Sequence, residues 1–583
     1  MSHESPLLVF DFTECTQGGR SLVFRNPERI IEANRLEEVR PALRAAHEAA
    51  LAGFYAAGFI AYEAAPAFEP AMAVRPGCGV PLAWFGIFRA PGESRPLPEG
   101  SPARLSPWQP DTTTTDYTRS IAAIHEAIAR GETYQVNYTI RLRADFEGDP
   151  LALYARLRRA QGGAWGAFIH TGRHLILSAS PELFFLRRRG TLAARPMKGT
   201  LRRGRWPAED DRNAQRLAAS AKDRAENLMI VDLLRNDVGR VAVTGTVAVP
   251  ELFTIERYRT VLQMTSAVTC RVPPSATLEE LLAALFPCGS VTGAPKISTM
   301  RIIAGLETSP RNVYCGAVGM LTPGGDAAFN VAIRTVLIDA HTGAAEYGVG
   351  GGITWDSTAA GEYDEVLSKA AVLFEAWPQF DLLETLLLED GACALLERHL
   401  GRLKLSARYF GIPLRETAVR QALGEHAQAH PGERRRVRLL VNQAGTPRVE
   451  SQPLTAAAEH GPRPVCLAEA PVPRSDRFLF HKTTNRAVYE ARRPSRRDIF
   501  DVLLFNEEGE LTEFTTGNLV VEIDGRRWTP PLDCGLLAGT FRAELLERGE
   551  VAERVLTRAD LDRATSVWYI NSVRGWVPVR LVP

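Results

Sequence analysis

Lysine is scarce in this sequence, and it is the basic side chain that can do covalent chemistry. Only six of the 69 basic residues are lysines. A lysine amine can lose its proton, attack a carbonyl carbon and form an imine, whereas a guanidinium group stays protonated and is a poor nucleophile. Each lysine is therefore a candidate for chemistry that arginine cannot perform, with an ordinary surface position as the alternative. The six are Lys198, Lys222, Lys296, Lys369, Lys404 and Lys482.

Two segments carry carboxylates at helical spacing. Asp223 and Glu226 are three residues apart, and Glu362, Glu365 and Lys369 are separated by three and four residues, so each set shares one face of a helix. Two such faces opposite each other would form the oxygen-rich site that Mg²⁺ accepts, with water as further ligands. The alternative is surface pairing within each helix.

The C-terminal part of the sequence contains the residue types that a pyridoxal-phosphate enzyme needs. Such an enzyme uses a lysine to form an imine, a carboxylate to keep the pyridine nitrogen protonated, and a cradle for the phosphate. Lys482, Glu513 and Arg402, with the backbone at Gly539-Thr540-Phe541, could supply these groups. None of them identifies the cofactor alone, since a residue such as Arg402 is more often a solvated helix residue.

More than one domain must position these candidates, because 583 residues are too many for one hydrophobic core. The sequence Trp377-Pro378-Gln379 is the predicted boundary, which gives domains 1–376 and 380–583. The apolar spacing predicts three elements that carry candidate residues, namely strand structure over 175–198 and helices over 220–236 and 396–410.

The composition is that of an ordinary globular protein, with 45% apolar residues, 23% charged residues and a net charge of +1. No apolar run approaches the ~18 residues that span a bilayer, and Met1-Ser2-His3-Glu4 does not resemble the start of a signal peptide. The eight cysteines are scattered without CxxC spacing. We therefore expect a cytoplasmic protein with reduced thiols, no nucleic-acid partner and no membrane association.

Ordered motifs rich in acids, glycines and lysines occur at 133–139, 178–184, 195–200, 222–239, 286–296, 329–335, 350–353 and 362–365. Together they resemble the chorismate-utilising enzymes, a family that contains anthranilate synthase component I, aminodeoxychorismate synthase component I, and the isochorismate and salicylate synthases. The resemblance covers about 115–376, with weaker similarity at 58–63. It implies chorismate as the substrate and a large antiparallel β-sandwich flanked by helices.

Lys198, at the centre of Pro196-Met-Lys-Gly-Thr200, points to one branch of this family. Anthranilate-forming members carry alanine there, whereas aminodeoxychorismate synthases carry lysine. The resemblance implies that this amine attacks C2 of the chorismate ring and expels the C4 hydroxyl with help from the acid Glu182. Ammonia then enters at C4 and the lysine leaves. Gln135 stands where isochorismate synthases have a lysine base, and Gln263 stands where many relatives have a histidine linked to anthranilate formation, so both disfavour those branches.

The resemblance also implies the residues that hold the metal and the substrate. Glu226 and Glu365 match direct Mg²⁺ ligands, with Asp223 and Glu362 acting through water, and the metal would hold the ring carboxylate. Arg334, Tyr314 and the backbone of Gly350 to Gly352 match the clamp on the enolpyruvyl carboxylate. The other residues that match substrate contacts are Ser290, Gly199 and Thr200, with Lys369 at an anion-stabilising position.

The C-terminal motifs at 398–403, 478–486, 506–518, 530–542 and 571–576 resemble the class IV pyridoxal-phosphate enzymes over about 380–583. This group contains branched-chain and D-amino-acid aminotransferases and aminodeoxychorismate lyase. The resemblance implies Lys482 as the imine lysine and Glu513 as the partner of the pyridine nitrogen, with phosphate contacts from Arg402, Thr540, Phe541 and Ser572. The domain is expected to be short, because no strand precedes the segment that begins at Phe380.

The combined interpretation is two α+β domains that make 4-aminobenzoate from chorismate and ammonia, with Mg²⁺ in the first and pyridoxal phosphate in the second. A lyase is favoured over an aminotransferase, because it would take the product of the aminating domain. The alternatives are an anthranilate synthase fused to an aminotransferase, and a C-terminal domain that is only a scaffold. We expect a separate glutamine amidotransferase subunit, because no helix follows Gly77-Cys78-Gly79 to form a nucleophile elbow, and a homodimer through the C-terminal domain.

Overall fold

The structure is a computed structural model that describes residues 6–12, 21–93, 102–371, 377–454, 461–493 and 498–582. Met1–Glu4 and residues 372–376, the end of the first predicted domain, lie outside these ranges. The chain separates into two compact units, Met1–Arg203 with Asn213–Trp377, and Gly204–Arg212 with Pro378–Pro583. The short segment Gly204–Arg212 thus groups with the C-terminal residues although it lies within the N-terminal sequence.

The first unit is built on two large antiparallel sheets. The neighbouring strands of the first sheet are, in order, Gly293–Ala294, Gln135–Gly148, Ala344–Ile353, Thr335–Asp339, His174–Ser180, Trp165–His170, Leu7–Phe12 and Leu22–Arg25, with Ala103–Leu105 and Gln109–Pro110 also paired to Gln135–Gly148. Those of the second are Met197–Arg202, Val261–Arg271, Thr191–Ala194, Leu183–Arg188, Ala327–Val331, Ala317–Leu321, Tyr55–Ile60, Ala83–Phe88 and Arg29–Ala33, with Ala248–Arg257 also paired to Val261–Arg271.

The two sheets pack face to face around a shared apolar core. The strand Leu7–Phe12 illustrates this, because all its residues are buried. Phe10 and Phe12 join the core between the sheets, whereas Leu7 and Val9 face the opposite side, since successive side chains of a strand point to opposite faces. The helices that cover the outer faces are Leu36–Leu51, Thr114–Ala129, Pro150–Gln161, Ala221–Gly239, Leu278–Leu285, Lys296–Leu306 and Ala359–Ala371. The predicted β-sandwich flanked by helices is confirmed.

The local elements that carry candidate residues agree with the apolar spacing and add turns that it did not resolve. The predicted helix over 220–236 is Ala221–Gly239, and the one over 396–410 is Leu396–Phe410. Gly411 ends the latter with φ 70, a conformation that glycine adopts at little cost. The region predicted as strand over 175–198 is four strands, His174–Ser180, Leu183–Arg188, Thr191–Ala194 and Met197–Arg202.

The second unit combines a small antiparallel sheet, a mixed sheet and helices. The strands of the small sheet are Ala392–Cys393, Leu382–Glu389, Arg435–Val441 and Pro447–Pro453. Those of the mixed sheet are Leu511–Phe514, Asp501–Phe505, Arg463–Leu467, Gly575–Leu581, Ser566–Asn571, Asn518–Ile523, Arg526–Thr529 and Ala552–Glu553. The helices are Leu396–Phe410, Glu416–Gln428, Ala487–Glu490, Thr540–Glu547 and Arg558–Arg563, and residues of a further helix, Pro207–Ala219, fall in both units. The predicted α+β class is confirmed.

In the part of the chain that the structure describes, no helix is both long and apolar enough to cross a membrane.

Candidate active sites

Lys198 lies in a strand whose pairing contains a bulge. Met197 pairs with Thr265 and Thr200 pairs with Gln263, so the strand of Lys198 has one residue more than its neighbour between these pairs. Gly199 lies inside this bulge with φ +87, which a residue with a side chain rarely adopts. A β-bulge changes the direction of the side chains beside it and often lies next to an active site.

The amine of Lys198 approaches residues of two neighbouring strands. A Cβ atom placed on Gly352 would lie 3.0 Å from Lys198 Nζ and 1.8 Å from Gln135 Nε2. The three residues therefore converge, and a side chain at position 352 would displace the amide of Gln135. Gln135 is buried, and its Oε1 atom has no hydrogen-bond partner among the described residues, which leaves a buried acceptor available beside the amine.

Glu182 provides a buried acid near this amine. Burial raises the pKa of Glu182 to about 7, against the opposing influence of Ser290 and Lys198. Its Oε1 atom has no partner among the described residues, so the carboxyl can give a proton to a ligand near neutral pH. Desolvation lowers the pKa of Lys198, and the charge of Lys369 acts in the same direction, whereas Glu226 raises it. Burial thus shifts the amine towards its neutral form and the acid towards its protonated form.

Carboxylates from the helices Ala221–Gly239 and Ala359–Ala371 meet beside Lys198. Burial raises the pKa of Glu226, Lys198 and Lys222 lower it, and the negative charges of Asp223 and Glu362 raise it further. A Cβ atom on Gly199 would lie 2.9 Å from Asp223 Cβ, so this helix also touches the bulge. Glu226 and Glu362 interact electrostatically although they lie on different helices.

Glu365 and Lys369 form an ion pair beside the glycine-rich strand end. Lys369 Nζ lies 2.6 Å from Glu365 Oε1 and donates to Gly350 O at 2.8 Å. Burial would raise the pKa of Glu365, but Lys369 lowers it below its ordinary value. A Cβ atom on Gly351 would lie 3.1 Å from Glu362 Oε2 and 3.5 Å from Lys369 Nζ. The backbone of Gly350 and Gly351 therefore lies in contact with the side chains of Lys369 and Glu362.

The donor set near these acids fits Mg²⁺ in its chemistry, although no ready-made cage is present. Within the described ranges, no group of three Asp, Glu, His or Cys side chains converges on one point. Mg²⁺ keeps several waters and needs only one or two protein carboxylates. Glu226 and Glu362 supply such oxygens, and a bound cation would offset both the burial and the neighbouring negative charges that raise the pKa of Glu226. Glu365, predicted as a direct ligand, is engaged by Lys369.

The two residues of the predicted carboxylate clamp lie at different points along the strand Ala344–Ile353. Arg334 donates to Lys369 O at 2.8 Å and so lies beside the ion pair. Tyr314 is buried, and its ring fills the space at Gly348, where a Cβ atom would lie 2.2 Å from Cδ1. Burial holds the pKa of Tyr314 well above its ordinary value, so the phenol keeps its proton as a donor.

The second unit contains a cavity of about 480 Å³, a size that suits a small ligand. All the residues predicted to hold pyridoxal phosphate line it, namely Arg402, Lys482, Glu513, Thr540, Phe541 and Ser572. Further arginines complete a strongly cationic wall; they are Arg436, Arg438, Arg486, Arg493 and Arg574. The cavity therefore suits a ligand with several negative charges.

Lys482 and Glu513 combine an amine and an acid in one cavity, as Lys198 and Glu182 do in the first unit. Desolvation and the charge of Arg402 lower the pKa of Lys482 to about 8. Burial raises the pKa of Glu513 to about 8. Glu513 accepts hydrogen bonds from Tyr489 Oη at 2.9 Å and from the Leu537 N–H at 3.1 Å. A protonated pyridine nitrogen is the kind of charged donor that would return this carboxyl to its ionised form.

Arg402 is held by a buried acid that the sequence did not single out. Its guanidinium donates to both oxygens of Glu384, at 2.9 and 2.6 Å, and to Ala538 O at 2.9 Å. Burial would raise the pKa of Glu384, but Arg402 and His399 lower it to about 2. His399 extends this network, because its Nδ1 lies 2.7 Å from Glu384 Oε2 and its Nε2 lies 3.3 Å from Thr540 Oγ1. This network fixes the start of the helix Thr540–Glu547, whose free N–H groups suit a phosphate.

Comparison with known proteins finds a separate family for each part of the chain. The family model of the chorismate binding enzymes matches residues 12–375, and that of class IV amino-transferases matches residues 381–582. The first match covers more than half of the chain. The chain belongs to the chorismate binding enzyme family. The family resemblance of the ordered motifs is thus confirmed.

Relatives of this chorismate binding enzyme align with only part of the chain. Aminodeoxychorismate synthase component 1 of Salmonella typhimurium is 44% identical over 277 residues, which are 47% of this chain and 61% of that protein. The Escherichia coli protein of the same name is 43% identical over 264 residues, which are 45% and 58%. Anthranilate synthase component I from Streptococcus pneumoniae TIGR4 has a similar structure, with a TM-score of 0.51 and 25% identity over 63% of this chain and 90% of that one. The chain spans about 60% of the length of the curated relatives it matches.

Gln263 lies beside the first candidate site of this chorismate binding enzyme, although it was not predicted as a site residue. Gln263 Nε2 donates to Gly199 O at 3.0 Å, and its Oε1 accepts from Thr200 Oγ1 at 2.9 Å, so Gln263 closes the bulge beside Lys198. Its place opposite Thr200 in the sheet was the missing information.

A buried arginine connects two segments near the first candidate site. Arg311 donates to Val291 O and to Asn137 O, both at 2.7 Å, and pairs with the buried Glu307 at 2.6 Å. Val291 follows Ser290, and Asn137 lies two residues after Gln135 in the same strand. No spacing in the sequence links Arg311 to these segments, since the contacts cross long stretches of chain.

Proposed function

We propose that the chain aminates chorismate at C4 in its first domain and releases 4-aminobenzoate from the product in its second. The convergence of Lys198 Nζ with Gln135 and Gly352 carries the first half, because it places a nucleophilic amine beside a buried acceptor and near the buried acid Glu182. The substrate, the products and both cofactors belong to this proposal, as do a separate amidotransferase subunit that supplies ammonia and a homodimer through the second domain.

In the proposed first reaction, Lys198 and Glu182 share the work of replacing a hydroxyl by an amine. The neutral amine of Lys198 forms a bond to C2, the ring double bond shifts, and the C4 hydroxyl leaves as water with a proton from Glu182. Ammonia then attacks C4, the double bond returns, and the C2–N bond to Lys198 breaks. The displaced amine can return to its neutral form because burial lowers its pKa.

Other residues hold the substrate in this proposal. Arg334 would pair with the enolpyruvyl carboxylate through its planar fork, and Lys369 would offset the charge of the ring carboxylate. Glu226 and Glu365 would hold Mg²⁺ directly, with Asp223 and Glu362 through water, and Glu365 would exchange its ion pair with Lys369 for the metal. The metal would supply positive charge for the ring carboxylate.

In the proposed second reaction, Lys482 moves a proton at the ring carbon that carries the new amine. Bound pyridoxal phosphate would supply an electron sink that makes this proton acidic and allows pyruvate to leave. Lys482 would hold the cofactor, Glu513 its pyridine nitrogen, and Arg402, Thr540, Phe541 and Ser572 its phosphate. A pKa of about 8 lets Lys482 accept and return a proton near neutral pH. The arginine-rich wall fits a substrate with two carboxylates.

Product analysis tests the two proposed reactions. The purified chain is incubated with chorismate, ammonium and Mg²⁺, with and without pyridoxal phosphate. We expect aminodeoxychorismate without added cofactor and 4-aminobenzoate with it. Anthranilate as the main product would refute C4 amination, and aminodeoxychorismate as the end product with saturating cofactor would leave the second domain without the proposed activity.

A further inference from the structure

Residues 204–212 are part of the C-terminal unit, although they lie six residues after Lys198 in the N-terminal sequence. Within that unit, the ring of Trp206 stacks on the ring of Phe480, with centroids 4.9 Å apart and planes at 29°. Trp206 also packs against the apolar cluster that contains Tyr489, the residue that donates to Glu513. A segment remote in sequence thus touches the surroundings of the second candidate site.

A second contact reaches the residue next to Lys482. The carbonyl oxygen of Gly204 accepts a hydrogen bond from Tyr409 Oη at 2.6 Å. The ring of Tyr409 lies 4.2 Å from the ring of His481, and His481 Nδ1 lies 3.0 Å from Ser406 Oγ. The segment therefore acts on Phe480 directly and on His481 through one intervening ring.

Hydrogen bonds within residues 204–212 hold a tight turn, and we call this segment the hook. The Gly204 N–H donates to Asp210 Oδ1 at 3.0 Å, and the Asp210 N–H donates to Trp206 O at 2.9 Å. A Cβ atom on Gly204 would lie 2.1 Å from Asp210 N, so the turn requires glycine there. Arg205 covers the Trp206 ring at 4.6 Å and donates to Asp533 at 2.5 Å, which anchors the hook to the C-terminal unit at a second place.

We propose that residues 204–212 position Lys482 in its cavity. The lysine is held from the other side by its own domain, because the Leu383 N–H donates to Lys482 O at 3.0 Å and Leu382 pairs with Thr483. Those bonds fix Lys482 and the residue after it. The hook fixes the two residues before it, so the direction of the side chain depends on both. The choice of Lys482 as the cofactor lysine rests on the proposed function.

Amide hydrogen exchange in cofactor-free, full-length protein tests the physical part of this inference. Trp206→Ala should speed the exchange of the peptide 478–486 by about tenfold or more, because its amides lose a packed neighbour. Trp206→Phe should restore most of the protection, since a smaller ring can still stack. Arg216→Ala is the matched control, because this exposed residue lies on the same helix beyond the hook. Unchanged exchange of 478–486 in Trp206→Ala overturns the inference.

Cofactor binding separates positioning of Lys482 from simple packing. Pyridoxal phosphate is titrated into the same proteins, and its bound absorbance is followed against pH. Trp206→Ala should weaken binding by about tenfold and shift the pH at which the absorbance changes, and Trp206→Phe should return both towards the parent values. A lower unfolding temperature with the parent's affinity and pH midpoint would show a packing role only and overturn the inference.

Further variants and the choice of measurement separate a failure of this inference from a misfolded variant and from a failure of the proposed function. If Trp206→Ala does not fold, Trp206→Leu, which keeps an apolar side chain but cannot stack, and Arg205→Met provide graded changes, and parent-like exchange and absorbance in both count against positioning. The exchange measurement needs neither chorismate nor cofactor. A protein that turns over no chorismate, but loses protection at 478–486 on Trp206→Ala, refutes the proposed function and leaves the positioning of this segment supported.

Discussion

Replacing Lys198 by arginine keeps the positive charge of the first site and removes the nucleophile. An arginine guanidinium stays protonated at every working pH, whereas desolvation lowers the pKa of the Lys198 amine and so favours its neutral form. Arginine is also longer than lysine. The amide of Gln135 and the amine of Lys198 already approach the same point beside Gly352, at 1.8 and 3.0 Å from the position of a Cβ atom there, so a longer side chain has little room. We therefore expect Lys198→Arg to be nearly as inactive as Lys198→Ala.

The size of the loss follows from the step that disappears. Without the bond to C2, ammonia would have to displace the C4 hydroxyl with help from Glu182 alone. A loss of about a thousandfold in C4 amination corresponds to about 4 kcal/mol, at about 1.4 kcal/mol per tenfold change in rate. A lysine that only bound a carboxylate would instead be replaced by arginine with a loss of about tenfold or less, because arginine binds carboxylates well.

The assay compares these variants at fixed free ammonia with chromatographic separation of the products. Lys222→Arg is the control, since Lys222 is 63% exposed and lies 4.0 Å from Glu226 in the same neighbourhood. Intact-mass detection of a ring adduct on the parent protein gives a second measurement. Near-normal C4 amination by Lys198→Arg would refute the covalent mechanism and reduce the choice of branch to motif resemblance.

The other predictions concern the second lysine, two buried acids and the source of nitrogen. Lys482→Ala should leave chorismate consumption unchanged and stop 4-aminobenzoate release, so that aminodeoxychorismate accumulates; normal release would remove Lys482 from its role. Glu182 must be protonated to act, so kcat/KM should fall as pH rises through about 7, and this alkaline limb should be absent from the residual activity of Glu182→Gln. Burial raises the pKa of Glu63 from 4.5 to about 7, so the folded state holds this proton more tightly than the unfolded chain. The free energy of unfolding therefore falls by up to about 3 kcal/mol as pH rises from below 4.5 through about 7. Glu63→Gln should raise the unfolding temperature at pH ~8 more than at pH ~5. Ammonium should serve as the nitrogen donor and glutamine alone should not, a prediction that turnover of glutamine by the purified chain contradicts.

The scarcity of lysine reduced the candidates for covalent chemistry to six before any contact was known. The motifs that resemble two enzyme families then selected Lys198 and Lys482 from these six, and each lies beside an acid with a raised pKa. The helix Leu396–Phe410 was predicted from apolar spacing and from Gly411 and Pro413 after it, because one face packs on the core and the pattern repeats every turn. Residue choice, family motifs and local periodicity were together sufficient for these features.

Contacts between remote segments could not be predicted in this way. Nothing in the spacing of Glu384 and His399 shows that they join Arg402 to Thr540, because the four residues come from three separate elements. The grouping of residues 204–212 with the C-terminal unit is a further example, since its basis is ring stacking of Trp206 with a residue more than two hundred and seventy positions away. Such contacts depend on the tertiary arrangement, which short-range patterns do not encode.

In both candidate sites, burial shifts the pKa values of a lysine and a glutamate. In each, desolvation lowers the pKa of a lysine and raises that of a glutamate, to about 7 for Glu182 and about 8 for Glu513. At the first site, an amine and a carboxyl in water at neutral pH would be an ammonium and a carboxylate, neither of which could begin the proposed chemistry. Burial lowers the pKa of Lys198 and raises that of Glu182, and both shifts favour the forms that the proposed reaction uses. At the second site, the lowered pKa of Lys482 favours its neutral amine, and a protonated pyridine nitrogen would return Glu513 to its ionised form. Arginine could not take part in this exchange because it keeps its proton, which gives a physical reason for lysine at these two positions in a chain that otherwise prefers arginine.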